Sequence, residues 1–284
     1  MIRFETLAEL RAVIRGARAN SRPVRFVPTM GALHDGHSAL IRAARAGGGF
    51  VLVSIFVNPT QFGPNEDFAR YPRTPDTDAA VAAAAGADAI WSPPVDTVYP
   101  GGESTRVTVG ALGTCWEGAF RPGHFDGVAT VVAKLLVATT ADVLYLGEKD
   151  FQQTLVLRRL VRDLLLDTEV IVVPTVREAD GLALSSRNRY LSTDERQAAT
   201  AIPRALRAAA ALAARGERDA TAVRAVLHDT LGAEPRLRVQ YAEVVDPETL
   251  TPPSAIAAPA RAIVAVFAGS TRLIDNHLIL PATS

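Results

Sequence analysis

Val27-Pro28-Thr29-Met30-Gly31-Ala32-Leu33-His34-Asp35-Gly36-His37-Ser38-Ala39-Leu40 joins an apolar run to a segment of helical period. The run, Val24–Pro28, is short and almost wholly apolar, as expected of a strand covered on both faces. The helix that follows, read over Ser38–Ala46, presents unpaired N–H groups and the positive end of its dipole to whatever lies above the strand end. Gly31 and Gly36 allow the backbone to approach closely there. That geometry suits a phosphate. His34 and His37, three residues apart, face one side of a helical turn, where both can donate to phosphate oxygens. The same pair can also be a metal site, and Asp35 a simple helix cap. Metal ligation is the weaker reading, because no third soft ligand is near in sequence.

The strand–helix pattern repeats outward from this stretch. Strands are expected at Phe50–Val57, Ala87–Trp91, Asp142–Leu146 and Glu169–Val173, with helices at Pro75–Ala85, Val128–Ala138 and Phe151–Asp167 between and after them. Alternation of this kind predicts a parallel sheet with right-handed crossovers, whose ligands bind beyond the carboxyl ends of the strands. After Pro174 the texture changes. Thr193–Arg215 and Asp219–Leu231 are Ala-rich helix formers, and three β-like runs follow at Leu237–Val245, Arg261–Ala268 and Thr271–Leu280. The expected class is α/β, with a parallel-sheet domain over 1–174 and a smaller α+β domain over 175–284.

Thirty basic residues balance thirty acidic ones in 284 residues. Zero net charge argues against a general polyanion binder, so nucleic acid is not an expected partner. One cysteine, Cys115, allows no intrachain disulfide and no cysteine-built zinc site, which sets a reducing, cytoplasmic compartment as the expectation. No apolar run approaches the roughly 20 residues needed to span a bilayer, and the first ten residues do not read as a secretory signal. No membrane partner is expected. Of the basic residues only two, Lys134 and Lys149, are lysines.

That scarcity draws attention to Gly147-Glu148-Lys149-Asp150-Phe151-Gln152-Gln153, a second strand-to-helix junction where an ammonium neutralises phosphate charge on a flexible stem. Lys134 lies inside a helix pattern and reads as an ordinary helix lysine. After the second strand, Asn58-Pro59-Thr60-Gln61-Phe62-Gly63 places two uncharged amides, Asn58 and Gln61, at a strand's carboxyl end, suited to hydroxyls and carboxylates; a polar turn is the plain alternative. Asp76 and Asp78 are helix-start residues or contacts to a magnesium–nucleotide complex. Phe120–Gly127 reads as a mobile loop or a substrate contact. Ser185, Ser186, Arg187, Asn188 and Arg189 form a compact donor set for a polyphosphate, in a segment that can close over a nucleotide or be a Ser-capped turn.

Five motifs in this order resemble the pantoate–β-alanine ligase family of the nucleotidyltransferase superfamily: Pro28-Thr29-Met30-Gly31 with His34-Asp35-Gly36-His37; Asn58-Pro59-x-Gln61-Phe62-Gly63; Arg121-Pro122-Gly123-His124-Phe125-x-Gly127-Val128; Gly147-Glu148-Lys149-Asp150-x-Gln152-Gln153; and Asp180-Gly181-Leu182-Ala183-x-Ser185-Ser186-Arg187-Asn188. The resemblance covers essentially the whole chain. It implies a Rossmann-like first domain, a smaller C-terminal lid domain, a homodimer, and ATP with magnesium. It implies adenylation of pantoate with release of pyrophosphate, then attack by β-alanine to give pantothenate and AMP. Carried onto matching positions, it assigns ATP contacts to Met30, Gly31, Ala32, Leu33, His34, Asp35, Gly36, His37, Gly147, Glu148, Lys149, Asp150, Val176, Leu184, Ser185, Ser186 and Arg187, with His37 as proton donor. Gln61 and Gln153 hold pantoate, and Gln61 also meets β-alanine; Asn58, an amide at the same strand end, is a further expected pantoate-binding residue. Charge neutralisation by His34, His37, Lys149, Ser185, Ser186 and Arg187 fits an attack by a carboxylate on an anionic phosphate. Two departures stand out: Thr60 replaces a bulkier apolar residue expected against pantoate's methyls, and Thr77 interrupts Asp76-Thr77-Asp78. The rival readings are a nucleotidyltransferase acting on another small substrate and a non-catalytic nucleotide-binding module.

Overall fold

A computed structural model describes residues 1–64 and 66–280. The chain divides into two compact units, Met1–Glu148 with Gln152–Pro174, and Lys149–Phe151 with Thr175–Ser284.

The first unit runs β1 (Ile2–Phe4), α1 (Leu7–Ala19), β2 (Val24–Thr29), α2 (Asp35–Ala46), β3 (Phe50–Ile55), α3 (Pro75–Ala85), β4 (Ala89–Trp91), α4 (Val95–Val98), α5 (Glu117–Phe120), α6 (His124–Thr139), β5 (Val143–Gly147), α7 (Phe151–Asp163) and β6 (Glu169–Val173). Its six strands lie in the order β1-β4-β3-β2-β5-β6, and every pairing is parallel. The pleat sorts the side chains. Val24, Phe26, Phe50, Leu52, Leu144 and Leu146 join the core on one face, with residues of α1, α6 and α7. Val27, Val51, Val53, Val143 and Tyr145 join the core on the other, with residues of α2 and α3. Burial on both faces is why the strands lack polar alternation. From β2 the chain proceeds to β3 and β4 on one side, and β5 and β6 lie on the other, so the turns that leave adjacent β2 and β5 open at the sheet's switch point.

β1, α1 and the single-turn helices α4 and α5 have no counterpart in the sequence reading. Three residues are too few to show a period, and only Phe4 of β1 is buried. α1 announces itself instead by a capping box, Thr6 with Glu9. The other strands and helices agree with expectation to within a few residues at their ends, where assignments are least sharp.

The second unit carries α8 (Thr193–Ala198), α9 (Ala201–Ala214), α10 (Ala220–Gly232), β7 (Leu237–Val245), β8 (Ala260–Ala268) and β9 (Thr271–Ile279). The strands form an antiparallel sheet in sequence order, and its core takes residues of α9 and α10. The single Ala-rich stretch Thr193–Arg215 is in fact two helices. Pro203 sits in the first turn of α9, where its missing N–H costs nothing. No helix among the described residues is long and apolar enough to cross a membrane.

Candidate active site

The turn after β2 is built around its two histidines. His34 caps α2: its Nδ1 accepts the Gly36 N–H at 3.1 Å, and the His34 N–H donates to Nδ1 of His37 at 3.2 Å. Backbone N–H groups only donate, so both Nδ1 atoms are acceptors and each neutral ring carries its proton on Nε2. The arrangement is a capping box with imidazoles in place of the usual hydroxyl and carboxylate. It fixes both rings, 4.2 Å apart between centroids, as Nε2–H donors. Gly36 is required here, because a Cβ would stand 2.8 Å from the His34 ring.

Asp78 holds this turn from behind. Its carboxylate accepts the Leu33 N–H at 2.7 Å, the Ala32 N–H at 3.1 Å and the Thr74 hydroxyl at 3.0 Å, and the residue is 1% exposed. Gly31 turns with φ +86°, and a Cβ there would meet Asp78. Of the two acids read as helix-start residues or magnesium contacts, Asp78 is buried under backbone N–H donors, as a helix-start residue can be, while Asp76 is exposed and pairs with Arg3 at 3.1 Å. The Ala32 and Leu33 N–H groups are committed to Asp78 and their side chains are buried. The Gly31 N–H likewise goes to the Thr29 hydroxyl.

Gln61 joins the same region. Its Nε2 donates toward the Met30 sulfur at 3.3 Å, and its Oε1 accepts from Asn58 Nδ2 at 2.9 Å. Asn58 is 1% exposed and spends its whole amide inside the protein. Nδ2 also donates to the Gly127 carbonyl at 3.2 Å, while Oδ1 accepts from Thr60 N–H, the Thr60 hydroxyl and the Tyr99 hydroxyl at 3.3, 3.0 and 2.7 Å. Asn58 thus bonds Gln61 directly and orients its amide. The Thr60 N–H can only donate and the Gly127 carbonyl can only accept, which fixes the direction of the Asn58 amide. Gln61 must then receive at its oxygen and offer its NH2. Thr60, the departure from the family pattern, uses its hydroxyl in this network.

The Arg121–His124 segment, read as a mobile loop or a substrate contact, is anchored to the Gln61 backbone. Arg121 donates to His124 Nε2 at 3.1 Å, so the His124 proton lies on Nδ1 and is given to the Gln61 carbonyl at 2.9 Å; Arg121 adds a bond to the same carbonyl at 3.3 Å. Glu117 and Glu66 neutralise Arg121, at 3.1 Å from its Nη1 and 2.7 Å from its Nε. Burial first, and the Arg121 charge second, hold the His124 pKa down at about 4. Burial would raise the Glu66 carboxyl, but the hydrogen bond and charge of Arg121 outweigh it and leave it below the ordinary range. Gln152 of α7 is buried and bonds the Glu117 N–H and the carbonyls of Leu112 and Cys115, whereas Gln153, one helical step on, is half-buried.

Within the second unit, Lys149 is held by its backbone, whose carbonyl accepts from Asn276 Nδ2 at 3.0 Å, and its Nζ lies 3.7 Å from Asp150 Oδ1. Gly147, Glu148 and Asp150 are half-buried beside it in the chain. Val176 and Leu184 face each other across a tight hairpin closed by a Leu184 N–H to Val176 carbonyl bond of 3.0 Å, with Gly181 in its turn at φ +93°. Ser185, half-buried like Ser186 and Arg187, caps the short helical turn Ser186–Tyr190 by accepting the Arg187 N–H at 3.3 Å. Asn188 locks the segment by donating to Glu178 and the Ala183 carbonyl. Arg177 is tied to Asp275 at 2.7 Å.

Sequence reasoning passed over Tyr99, Asp78's structural bond and the Arg121–His124 anchor. It also took Lys134 for an ordinary helix lysine. Lys134 Nζ in fact donates to the Val98 carbonyl at 2.8 Å, pairs with Glu103, and lies 4.4 Å from the Tyr99 ring centroid. The rarity of lysine was the available signal.

Comparison with known proteins agrees with the motifs. The family model described as pantoate-beta-alanine ligase matches residues 2–278. A pantothenate synthetase of Acidobacterium capsulatum is 52% identical over 290 residues, covering 98% of this chain and 97% of its own. The crystal structure of pantothenate synthetase from Thermus thermophilus superposes with a TM-score of 0.94 at 49% identity, covering 99% of this chain and 100% of that one. A pantoate-beta-alanine ligase from Francisella tularensis, crystallised in complex with beta-gamma ATP and β-alanine, has a TM-score of 0.80 at 35% identity over 98% of this chain and 97% of that one. With a family match along nearly its whole length and relatives near half identity, this chain belongs to the pantoate–β-alanine ligase family.

Proposed function

We propose that this ATP-dependent ligase of pantoate and β-alanine works through a pantoyl adenylate, with Gln61 reading pantoate and the histidine turn serving the nucleotide. The observation that carries the reading is the enforced direction of two donor sets, the Gln61 NH2 and the Nε2–H groups of His34 and His37. Pantoate offers acceptors to the first, a carboxylate and hydroxyl oxygens; ATP offers phosphate oxygens to the second.

In the first step a pantoate carboxylate oxygen forms a bond to the α-phosphorus while the bond to the bridging β-phosphate oxygen breaks, and pyrophosphate leaves. Two anions must be brought together in line, so positioning and charge neutralisation supply most of the acceleration. Nε2–H donors at a helix start serve that purpose, and His37 holds its proton at the atom that would give it up. The donors Lys149, Ser185, Ser186 and Arg187 are assigned to the polyphosphate, with Met30, Gly147, Glu148, Asp150, Val176 and Leu184 as further ATP contacts. Gln153 is assigned to pantoate with Gln61, and Gln61 also to β-alanine. In the second step the neutral amine of β-alanine attacks the adenylate carbonyl, the carbon–oxygen bond to AMP breaks, and the amine loses a proton. A hydrolysable mixed anhydride calls for exclusion of water, which supports a lid role for the C-terminal unit.

Magnesium is not assigned to the protein. No group of three or more His, Cys, Asp or Glu among the described residues is arranged to hold a metal, and Asp78 is committed to backbone N–H groups. The cation is proposed to arrive on the phosphates of ATP. A homodimer in the cytoplasm completes the proposal, supported by the resemblance and by the single cysteine; sedimentation tests the first of these.

Product analysis tests the reading. With ATP, pantoate and β-alanine, AMP, pyrophosphate and pantothenate should form in equal amounts, and rapid quenching without β-alanine should trap a pantoyl adenylate. A stable dinucleotide-type product would favour the nucleotidyltransferase alternative.

A further inference from the structure

The helix lysine Lys134 and the tyrosine Tyr99 have no place in the reaction as described, yet they stand at the end of a chain of contacts that leads to Gln61. Lys134 Nζ bonds the Val98 carbonyl at 2.8 Å and pairs with Glu103, which Arg106 also holds at 3.3 Å. Its charge lies 4.4 Å from the Tyr99 ring centroid, within the range of a cation–π attraction. Because the Val98 carbonyl belongs to the residue before Tyr99, one ammonium grips both the backbone entering Tyr99 and the face of its ring. The Tyr99 N–H is bonded to the Val95 carbonyl at 2.7 Å. The ring is thereby set so that its hydroxyl reaches Asn58 Oδ1 at 2.7 Å and Thr60 Oγ1 at 3.0 Å. Asn58 then donates to Gln61 at 2.9 Å.

We infer that Lys134 and Tyr99 are positioning residues for pantoate, acting on Gln61 through Asn58. The polarity of the relay is what matters. Tyr99 supplies a hydrogen to Asn58 Oδ1, the Asn58 amide is held with its nitrogen toward Gln61, and Gln61 presents NH2 groups to the substrate's oxygens. Without the Tyr99 hydroxyl the buried Asn58 oxygen loses its shortest bond, and the amide gains freedom to tilt away from Gln61. Without Lys134 the ring loses the cation that grips it, and the hydroxyl moves with the ring. Neither residue needs to touch a substrate. Specificity for a hydroxy acid is thus set partly from the far side of the binding residue, as when outer contacts orient a ligand group.

The inference rests on Gln61 as the pantoate residue, and the test separates the two claims. Tyr99→Phe keeps the ring beneath Lys134 and removes only the donor. It should raise KM for pantoate roughly tenfold, leaving KM for ATP within twofold. Lys134→Met should move the same constant in the same direction, and Lys134→Arg, which keeps a cation and a donor, should restore most of it. The deciding measurement is the double-mutant cycle: in a Gln61→Ala background, Tyr99→Phe should change KM for pantoate less than twofold. An undiminished Tyr99→Phe effect in that background, or a single Tyr99→Phe effect below twofold, overturns the relay while leaving Gln61 as the pantoate residue. If Gln61→Ala itself spares pantoate and weakens ATP, the functional reading of Gln61 fails instead. Should Lys134→Met not fold, the Tyr99 and Gln61 cycle still decides.

Discussion

Asp78 Oδ1 accepts the Leu33 N–H at 2.7 Å, across 45 residues of sequence. One buried carboxylate at the start of α3 thereby fixes the backbone that leads to the histidine cap of α2. Asp78→Ala would strand the Ala32 and Leu33 N–H groups in a region where neither is exposed, at a cost of about 2–4 kcal/mol. Urea unfolding should show that loss, and KM for ATP should rise. Asp76→Ala removes only an exposed pair with Arg3 and should change stability by less than about 0.5 kcal/mol. Equal effects from the two variants would contradict the assignment.

His124 gives a pH signature. Its pKa in the folded protein is about 4 against 6.5 ordinarily. Below pH 6.5 the unfolded chain takes up a proton that the folded chain refuses, so the stability held at higher pH is lost as pH falls toward 4. Between roughly pH 7.5 and pH 5 this single group should account for about 2 kcal/mol. His124→Gln should flatten the fall in unfolding free energy over that interval. An unchanged slope in the variant would show that His124 is not held neutral.

Gly127→Ala probes the support beneath Gln61. A Cβ at Gly127 would stand 2.4 Å from the Thr60 carbonyl oxygen and 2.8 Å from Gln61 Cα, both rigid backbone. The binding segment must shift. Pantoate KM should rise at least tenfold, with ATP KM little altered; an equal rise in both would place the disturbance elsewhere.

These residues also show what was and was not legible in the chain. The fold could be read because strands buried on both faces are nearly continuous in Val, Ile, Leu and Phe, as at Phe50–Ile55. The histidine turn could be read because glycines, a strand end and a helix start coincide in one short stretch. What stayed hidden was pairing across distance: Asp78 with Leu33, Tyr99 with Asn58, His124 with the Gln61 carbonyl. A carboxylate beside a helix start has the same local signature whether it meets a metal or a backbone N–H. Asn58 looks like Gln61 in sequence, yet one is sealed inside and the other reaches Met30. Lys134 was visible as a rare residue but not as a partner of Tyr99, 35 positions away.

Lys149 should matter to chemistry and little to stability. Its Nζ lies at a long 3.7 Å from Asp150 Oδ1, while the backbone carbonyl carries the bond to Asn276. Lys149→Ala should unfold at close to the parent temperature yet lose roughly 100-fold or more in the rate of adenylate formation. Near-normal turnover would remove the charge-neutralisation argument.

The central claim, that pantoate is activated at the Gln61 and histidine site before β-alanine takes part, meets its most direct test in isotope exchange. Labelled pyrophosphate should pass into ATP when pantoate is present and β-alanine absent, and the pantoate concentration giving half-maximal exchange should rise at least tenfold in Gln61→Ala while the ATP dependence stays within twofold. Exchange that requires β-alanine, or that proceeds without pantoate, would contradict the account.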